Sequence, residues 1–307
     1  MSRFKNKATL YLGFILVSFL LVIAVIGPYI APYDVTFKEK VQNVEVNGKT
    51  VIINPPLPPS STHWLGTDKW GYDLLTLILH GAKYTVFLTI LIAALRILLG
   101  TWLGLYIGMA ERKQNWWLAL ENAWSHIPLV LPVYFILLGV NINSPLSTAE
   151  LVTMFVCLVA VLGTPSVVSS IRQKTEQVKE MPYILAAVSL GASKNRLIFQ
   201  HILPQLKEQV IIIFVTEIIA AMALMGQLGL FNLFIGGTSM TTDPILYASI
   251  TNEWAGLVGQ ARGHIYGNTW IFLMPLGAFV LAIASFSILA KGLRDRYQQT
   301  YSRTPYM

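Results

Sequence analysis

Six separate stretches of this chain are apolar for about twenty residues or more, and stretches of that length belong in a bilayer. Crossing a hydrocarbon core takes about 20 mostly apolar residues in a helix, where each backbone N–H and C=O is satisfied within its own segment. The stretches are Ala8–Ile30, Tyr84–Met109, Trp116–Val140, Leu151–Ile171, Val210–Ile235 and Thr269–Ala290. The first, fourth and sixth carry no charged side chain. The second carries Arg96, the third Glu121 and His126, and the fifth Glu217. A chain with 54% hydrophobic and 12% charged residues lies outside the composition of soluble domains. The expectation is an all-α integral membrane protein with six transmembrane helices.

The net charge of +7 invites a nucleic-acid reading, which its distribution removes. With the N-terminus inside, most basic residues fall in cytoplasmic segments: Arg3 to Lys7, Arg112 and Lys113, Arg172 to Lys207, and Lys291 to Arg303. Those left outside, such as Lys38, Lys40 and Lys49, sit mainly in one long loop, where charge has little say in topology. This is the positive-inside bias, with both termini cytoplasmic and no nucleic-acid partner. The apolar run from Ala8 is too long for a signal-peptide core and no cleavage pattern follows it, so it reads as an uncleaved signal-anchor. The single cysteine, Cys157, falls in the fourth span and reads as a small packing residue.

Between the first two spans, Val44 to Ile53 centres on Asn47-Gly48, a pair suited to the positive φ angles of a two-residue hairpin turn. A small extracellular β-hairpin is expected there, as a decorated loop or as a docking surface for an external partner. Asn54 to Pro59 continues as an extended, proline-rich connector. Residues 236–268 read as an external loop with a short surface helix near Pro244–Val258. No Gly-x-x-x-x-Gly-Lys-Ser/Thr occurs, so nothing here holds nucleotide phosphates.

The polar island from Tyr183 to Pro204, between the fourth and fifth spans, has the makings of a cytoplasmic helical hairpin. Pro182 suits a first helical position, where its missing N–H has no intrahelical partner. Ala186 and Ala187 favour helix and leave little bulk. Gly191 permits a turn, Lys194 and Arg196 open a second short helix, and Pro204 is expected to interrupt the chain before the fifth span.

Ala186-Ala187, Gly191 and Ile202-Leu203-Pro204 have the spacing of the coupling signature of ABC-importer permeases, and the segment resembles it. The glutamate of that signature is replaced by Leu185. Upstream, Leu65-Gly-Thr-Asp68, Gly71-Tyr-Asp73 and Gly81-Ala-Lys83 are similar to the segment before the second helix of peptide-type permeases. Tyr72 and Lys83 stand where arginines are usual. Gly292-Leu-Arg-Asp295 resembles the family's ending. Over essentially its full length the chain resembles the C-type permease of the dipeptide, oligopeptide and nickel ABC-importer family.

That resemblance implies a type I ABC-importer permease fold with the hairpin as an insertion. Residues 1–30 would hold the cytoplasmic start and first helix, and 31–83 the extracellular loop. Residues 84–292 would form the core, including the coupling segment 181–204, and 293–307 a cytoplasmic tail. The implied ATPase-coupling residues are Leu185, Ala186, Ala187, Gly191, Ala192, Ser193, Ile202, Leu203 and Pro204. Implied partners are a second homologous permease, one or two cytoplasmic ATPase subunits and an extracellular binding protein. The chain would catalyse nothing and hold no cofactor, with ATP and Mg²⁺ bound by the ATPases. Peptides are the family's commonest cargo; nickel or other metal chelates and opines fall within its range.

Charges inside the spans are costly, about 2.5–3.5 kcal/mol each on insertion scales, so Arg96 should face protein, water or an anion. Glu217 is its candidate partner, either as a structural ion pair or as part of a substrate pathway. Glu121 reads as interfacial, and His126, beside Pro128 and Pro132, as serving a kinked backbone. Gly100, Gly104 and Gly108 form a small-residue face for close helix packing. A membrane enzyme finds no motif: there is no His-Glu-x-x-His and no pair of intramembrane aspartates. A secondary transporter would have only Arg96 and Glu217 as an ion relay.

Overall fold

The computed structural model describes residues 2–46, 49–110 and 115–301. Helix α1 (Ser2–Ile30) is followed by strands β1 (Gln42–Val46) and β2 (Lys49–Ile53). These pair antiparallel with Val46 opposite Lys49, so the hairpin is present. Its two turn residues lie outside those described.

Helix α2 (Leu74–Gly108) begins at Leu74 rather than Tyr84. Asp73 caps it, accepting the Thr76 N–H at 2.8 Å. That carboxylate also lies 2.9 Å from the Nδ1 of buried His63. A hydrogen-bonded N-cap explains the earlier start, because it satisfies an orphan donor at that end.

The third apolar stretch is not one helix. It divides into α3 (Asn115–Ser125) and α4 (Val130–Asn141). Pro128 lacks an N–H and its ring would strike the carbonyl four residues back, which favours a break there. Ile127 is pushed away from helical geometry for the same reason. Pro132 falls in the first turn of α4, where it is tolerated. Among the described residues five helices are therefore long and apolar enough to cross a membrane, and α4 is a shorter apolar one.

Helix α5 (Thr148–Lys179) opens with a capping box between Ser147 and Glu150. Then come α6 (Pro182–Ser189) and α7 (Lys194–Arg196), a π-helical segment Leu197–Ile202, and α8 (Leu203–Leu230). Pro204 does not interrupt this run. The Leu203 N–H bonds to the Ile198 carbonyl, five residues back. That widened turn accommodates a proline whose own N–H is missing.

Residues 236–268 also differ from expectation. Strands β3 (Thr238–Thr242) and β4 (Ile245–Ser249) form a second hairpin, and the short helix α9 (Trp254–Ala261) is buried rather than superficial. Trp254 explains why: its Nε1 donates to the Ile78 carbonyl at 2.8 Å and its backbone N–H to Thr85 Oγ1 at 2.9 Å. A tryptophan whose indole and backbone N–H groups are both satisfied inside the protein is a strong anchor. Helix α10 (Trp270–Tyr301) closes the bundle.

The main core gathers side chains from α1, α2, α4, α5, α8, α9 and α10, including Ile92, Val159, Met222 and Ala282. The glycine face of α2 packs on α5: Cβ atoms at Gly100, Gly104 and Gly108 would meet Val167, Ile171 and Thr175. Cys157, read as a packing residue, is instead exposed on α5. Both hairpins, α9 and the start of α2 lie at one end of the bundle. α6 and α7 lie at the other, where Lys194 Nζ donates to the Tyr106 carbonyl at 3.2 Å.

Candidate functional site

At that second end, α6 is anchored by Ile184, which is fully buried. It belongs to a second hydrophobic cluster with Leu197, Ile198, Ile202 and Leu206, packed on Leu105, Val167 and Ile171. Most other positions of α6 point away. Tyr183, Leu185 and Val188 are exposed, and so is Leu190 just past the helix end, at 89%. Apolar side chains left exposed around a firmly anchored short helix have the form of an interaction surface.

Pro182 stands in the first turn of α6 as expected. The helix stops in a Schellman arrangement. The Gly191 N–H bonds to the Val188 carbonyl at 2.9 Å and the Ala192 N–H to the Ala187 carbonyl at 3.0 Å. Gly191 takes φ +81°, and a Cβ there would meet nothing within 4 Å. The glycine is needed for backbone conformation and not for internal room. Ser193 caps α7, accepting the Arg196 N–H at 3.4 Å.

Of the other coupling residues, Ala186 and Pro204 are exposed, while Ala187, Ala192 and Leu203 pack partly against the second cluster. Ile202 is fully buried. It supports the surface from beneath and does not form it.

In the bundle interior the structure brings Arg96 and Glu217 together. Arg96 Nη1 lies 2.7 Å from Glu217 Oε2. Its Nε and Nη2 donate to the Val159 carbonyl at 3.2 and 3.0 Å. Arg96 is 2% exposed and Glu217 9%, so both charges are removed from solvent. Three helices, α2, α5 and α8, thus meet at one guanidinium. The fork geometry of arginine permits this; a lysine would be a single point of attachment.

A second charge cluster escapes the sequence. Glu121 on α3 accepts from Ser169 and Arg172 on α5, and Arg172 Nη1 also meets Glu176 at 2.8 Å. Arg172 shows no helical spacing to Glu121, so only the fold reveals the contact. His126 Nδ1 lies 2.5 Å from the Asn122 carbonyl, serving the backbone where α3 ends. Among the described residues no group of three or more His, Cys, Asp or Glu side chains could hold a metal ion.

These features match a known class. Residues 96–299 fit the family model described as the binding-protein-dependent transport system inner membrane component. Residues 1–59 fit the N-terminal TM domain of oligopeptide transport permease C. The chain belongs to this family of ABC-transporter permeases, multi-pass inner membrane proteins with the type I permease fold. It is a permease subunit and not an enzyme.

The chain is 24% identical to the oligopeptide transport system permease protein OppC of Bacillus subtilis (strain 168) over 296 residues, covering 96% of this chain and 87% of that protein. It is 27% identical to the dipeptide transport system permease protein DppC of the same organism, covering 95% and 82%. It is 26% identical to the glutathione transport system permease protein GsiD of Escherichia coli (strain UTI89 / UPEC), covering 95% and 87%.

Proposed function

We propose that this chain is one half of a membrane channel that imports peptides, driven by ATP hydrolysed in separate subunits docked on α6. The observation that carries this is the exposure of the apolar side chains Tyr183, Leu185, Val188 and Leu190 on and just past a helix anchored through Ile184. Movement imposed on α6 reaches the bundle through the second hydrophobic cluster, which joins α6 to α2, α5 and α8. With Leu185 in place of the signature glutamate, docking relies on apolar contact where relatives of that pattern offer a charge.

Orientation follows from charge. Lys174, Lys179, Lys194, Arg196 and Lys207 gather near the α6 end, which supports placing that end and both termini in the cytoplasm. The opposite end, with both hairpins, would meet an extracellular binding protein, and a second homologous permease would complete the channel. The named cargoes of the three relatives are oligopeptides, dipeptides and glutathione, which favours peptides over metal chelates.

The test is Leu190→Asp. The side chain is 89% exposed, so the variant should fold, lose copurifying ATPase subunits and lose uptake of labelled dipeptide. Unchanged copurification would remove α6 as the docking surface. Uptake of nickel without peptide uptake would replace the cargo and keep the mechanism.

A further inference from the structure

We propose that the cleft between the loop following α1 and the β3–β4 hairpin is a binding subsite for a small solute bearing both a primary ammonium and a carboxylate, with Asp68 receiving the ammonium and Lys38 the carboxylate. The cleft is a cavity of ≈ 390 Å³, within the span of about 300–1,000 Å³ usual for small-ligand sites. Lys38, Asp68, Trp70 and Tyr72 form one wall, and Ser249 and Gln260 belong to the other.

Asp68 is the reason to look here. It is 2% exposed. Its Oδ1 accepts the backbone N–H groups of Trp70 and Tyr72, both at 2.9 Å. This turn fixes the carboxylate and leaves Oδ2 buried with no hydrogen-bond partner among the described residues. An unsatisfied buried acceptor is costly and rare, and it calls for a partner.

The neighbouring lysine does not supply one, because Lys69 Nζ lies over the Trp70 ring, 4.1 Å from its centroid. An ammonium is the group that satisfies such an oxygen best, through a charge-assisted hydrogen bond. Lys38 is exposed at the cleft, with Nζ 5.7 Å from the Tyr72 centroid. It can swing aside to admit a solute and then meet the solute's carboxylate. One fixed acceptor beside one movable cation selects a zwitterion over either single charge.

The subsite deepens the import reading and rests on it only for the claim that the solute is cargo, a short peptide being such a zwitterion. The test is calorimetric titration of the permease, with its copurified subunits in nanodiscs, by dialanine, N-acetyl-dialanine and dialanine amide. Dialanine should bind saturably. N-acetylation of the probe, or Asp68→Asn in the protein, should each weaken binding about tenfold or more. Lys38→Ala should weaken dialanine and leave the amide unchanged.

Asp68→Asn keeps the oxygen that holds the turn, and the acetylated probe tests the same contact without any substitution. No saturable binding, or equal affinity for dialanine and its N-acetyl form, overturns the subsite. If peptide uptake persists in that case, the import reading stands without it. If dialanine binds as described and no peptide is taken up, the subsite stands and the import reading falls.

Discussion

A methyl group on Gly163 would occupy the space that the Arg96 guanidinium fills. Gly163 lies one helical turn beyond Val159, whose carbonyl accepts two hydrogen bonds from that guanidinium. The absence of a side chain on α5 is thus what lets a charge from α2 cross to Glu217 on α8.

Gly163→Ala should therefore behave as an ion-pair mutant although it removes no charge. Displacing Arg96 leaves Glu217 buried and unpaired, a situation that costs roughly 3–5 kcal/mol. Thermal unfolding of the purified protein should show a large drop in Tm. A Tm equal to wild type would mean that the α2–α5 packing opens without strain.

The pair itself is tested by Arg96→Ala, Glu217→Ala and the double variant. Each single change strands one charge and should destabilise by a similar ~3–5 kcal/mol, and the double change should recover part of the loss because no charge is then left buried. A stable Arg96→Ala variant with defective uptake, and no rescue by Glu217→Ala, would instead place Arg96 in the substrate pathway.

Gly191 separates conformation from contact. An L-residue in the left-handed region costs about 1–2 kcal/mol, with asparagine the mildest. Gly191→Asn should lower stability only slightly, since a Cβ there meets nothing within 4 Å. Loss of ATPase copurification in that variant, at near wild-type Tm, would locate the partner's surface against residue 191. Retained copurification would show that only the backbone turn matters.

Asp68 should leave a signature in pH. Burial raises its carboxyl from 3.8 to about 6. The folded state then holds the proton more tightly than the unfolded chain, so its contribution is fully present below pH 3.8 and is lost as pH rises through about 6. Between those values wild-type stability should fall relative to Asp68→Asn by on the order of 2–3 kcal/mol. Parallel Tm profiles for the two proteins over that range would contradict this. Glu253, buried and pushed up to about 7, is common to both and cancels in the comparison.

Much of this architecture is legible because bilayer physics is written in long apolar runs. Five of the six stretches fall on long helices, and Pro182, Gly191 and the glycine face of α2 act through local geometry that residue type alone dictates. What stays hidden is what depends on partners far along the chain. The break at Pro128 is masked by apolar residues on both sides. Pro204 reads as a stop, because a widened turn ahead of it leaves no compositional mark. The burial of α9 hangs on Trp254 finding Ile78 and Thr85. Arg172 meets Glu121 only because α3 folds back onto α5. Asp68 reads as part of a family motif, and only its spare oxygen marks it out.

The widened turn before Pro204 has a mechanical consequence. Because the helix continues through Pro204, Lys194–Leu230 is a single helical rod of 37 residues, about 55 Å long at 1.5 Å per residue. A stop at Pro204 would have made a hinge there, and force applied at Arg196 would have been absorbed locally. An unbroken rod acts as a lever instead, so a tilt of about 5° at one tip displaces the other by about 5 Å. Glu217 sits partway along that lever, tied to Arg96. On the proposed coupling, a stroke delivered at the α7 tip would pivot around, or pull against, this buried charge pair.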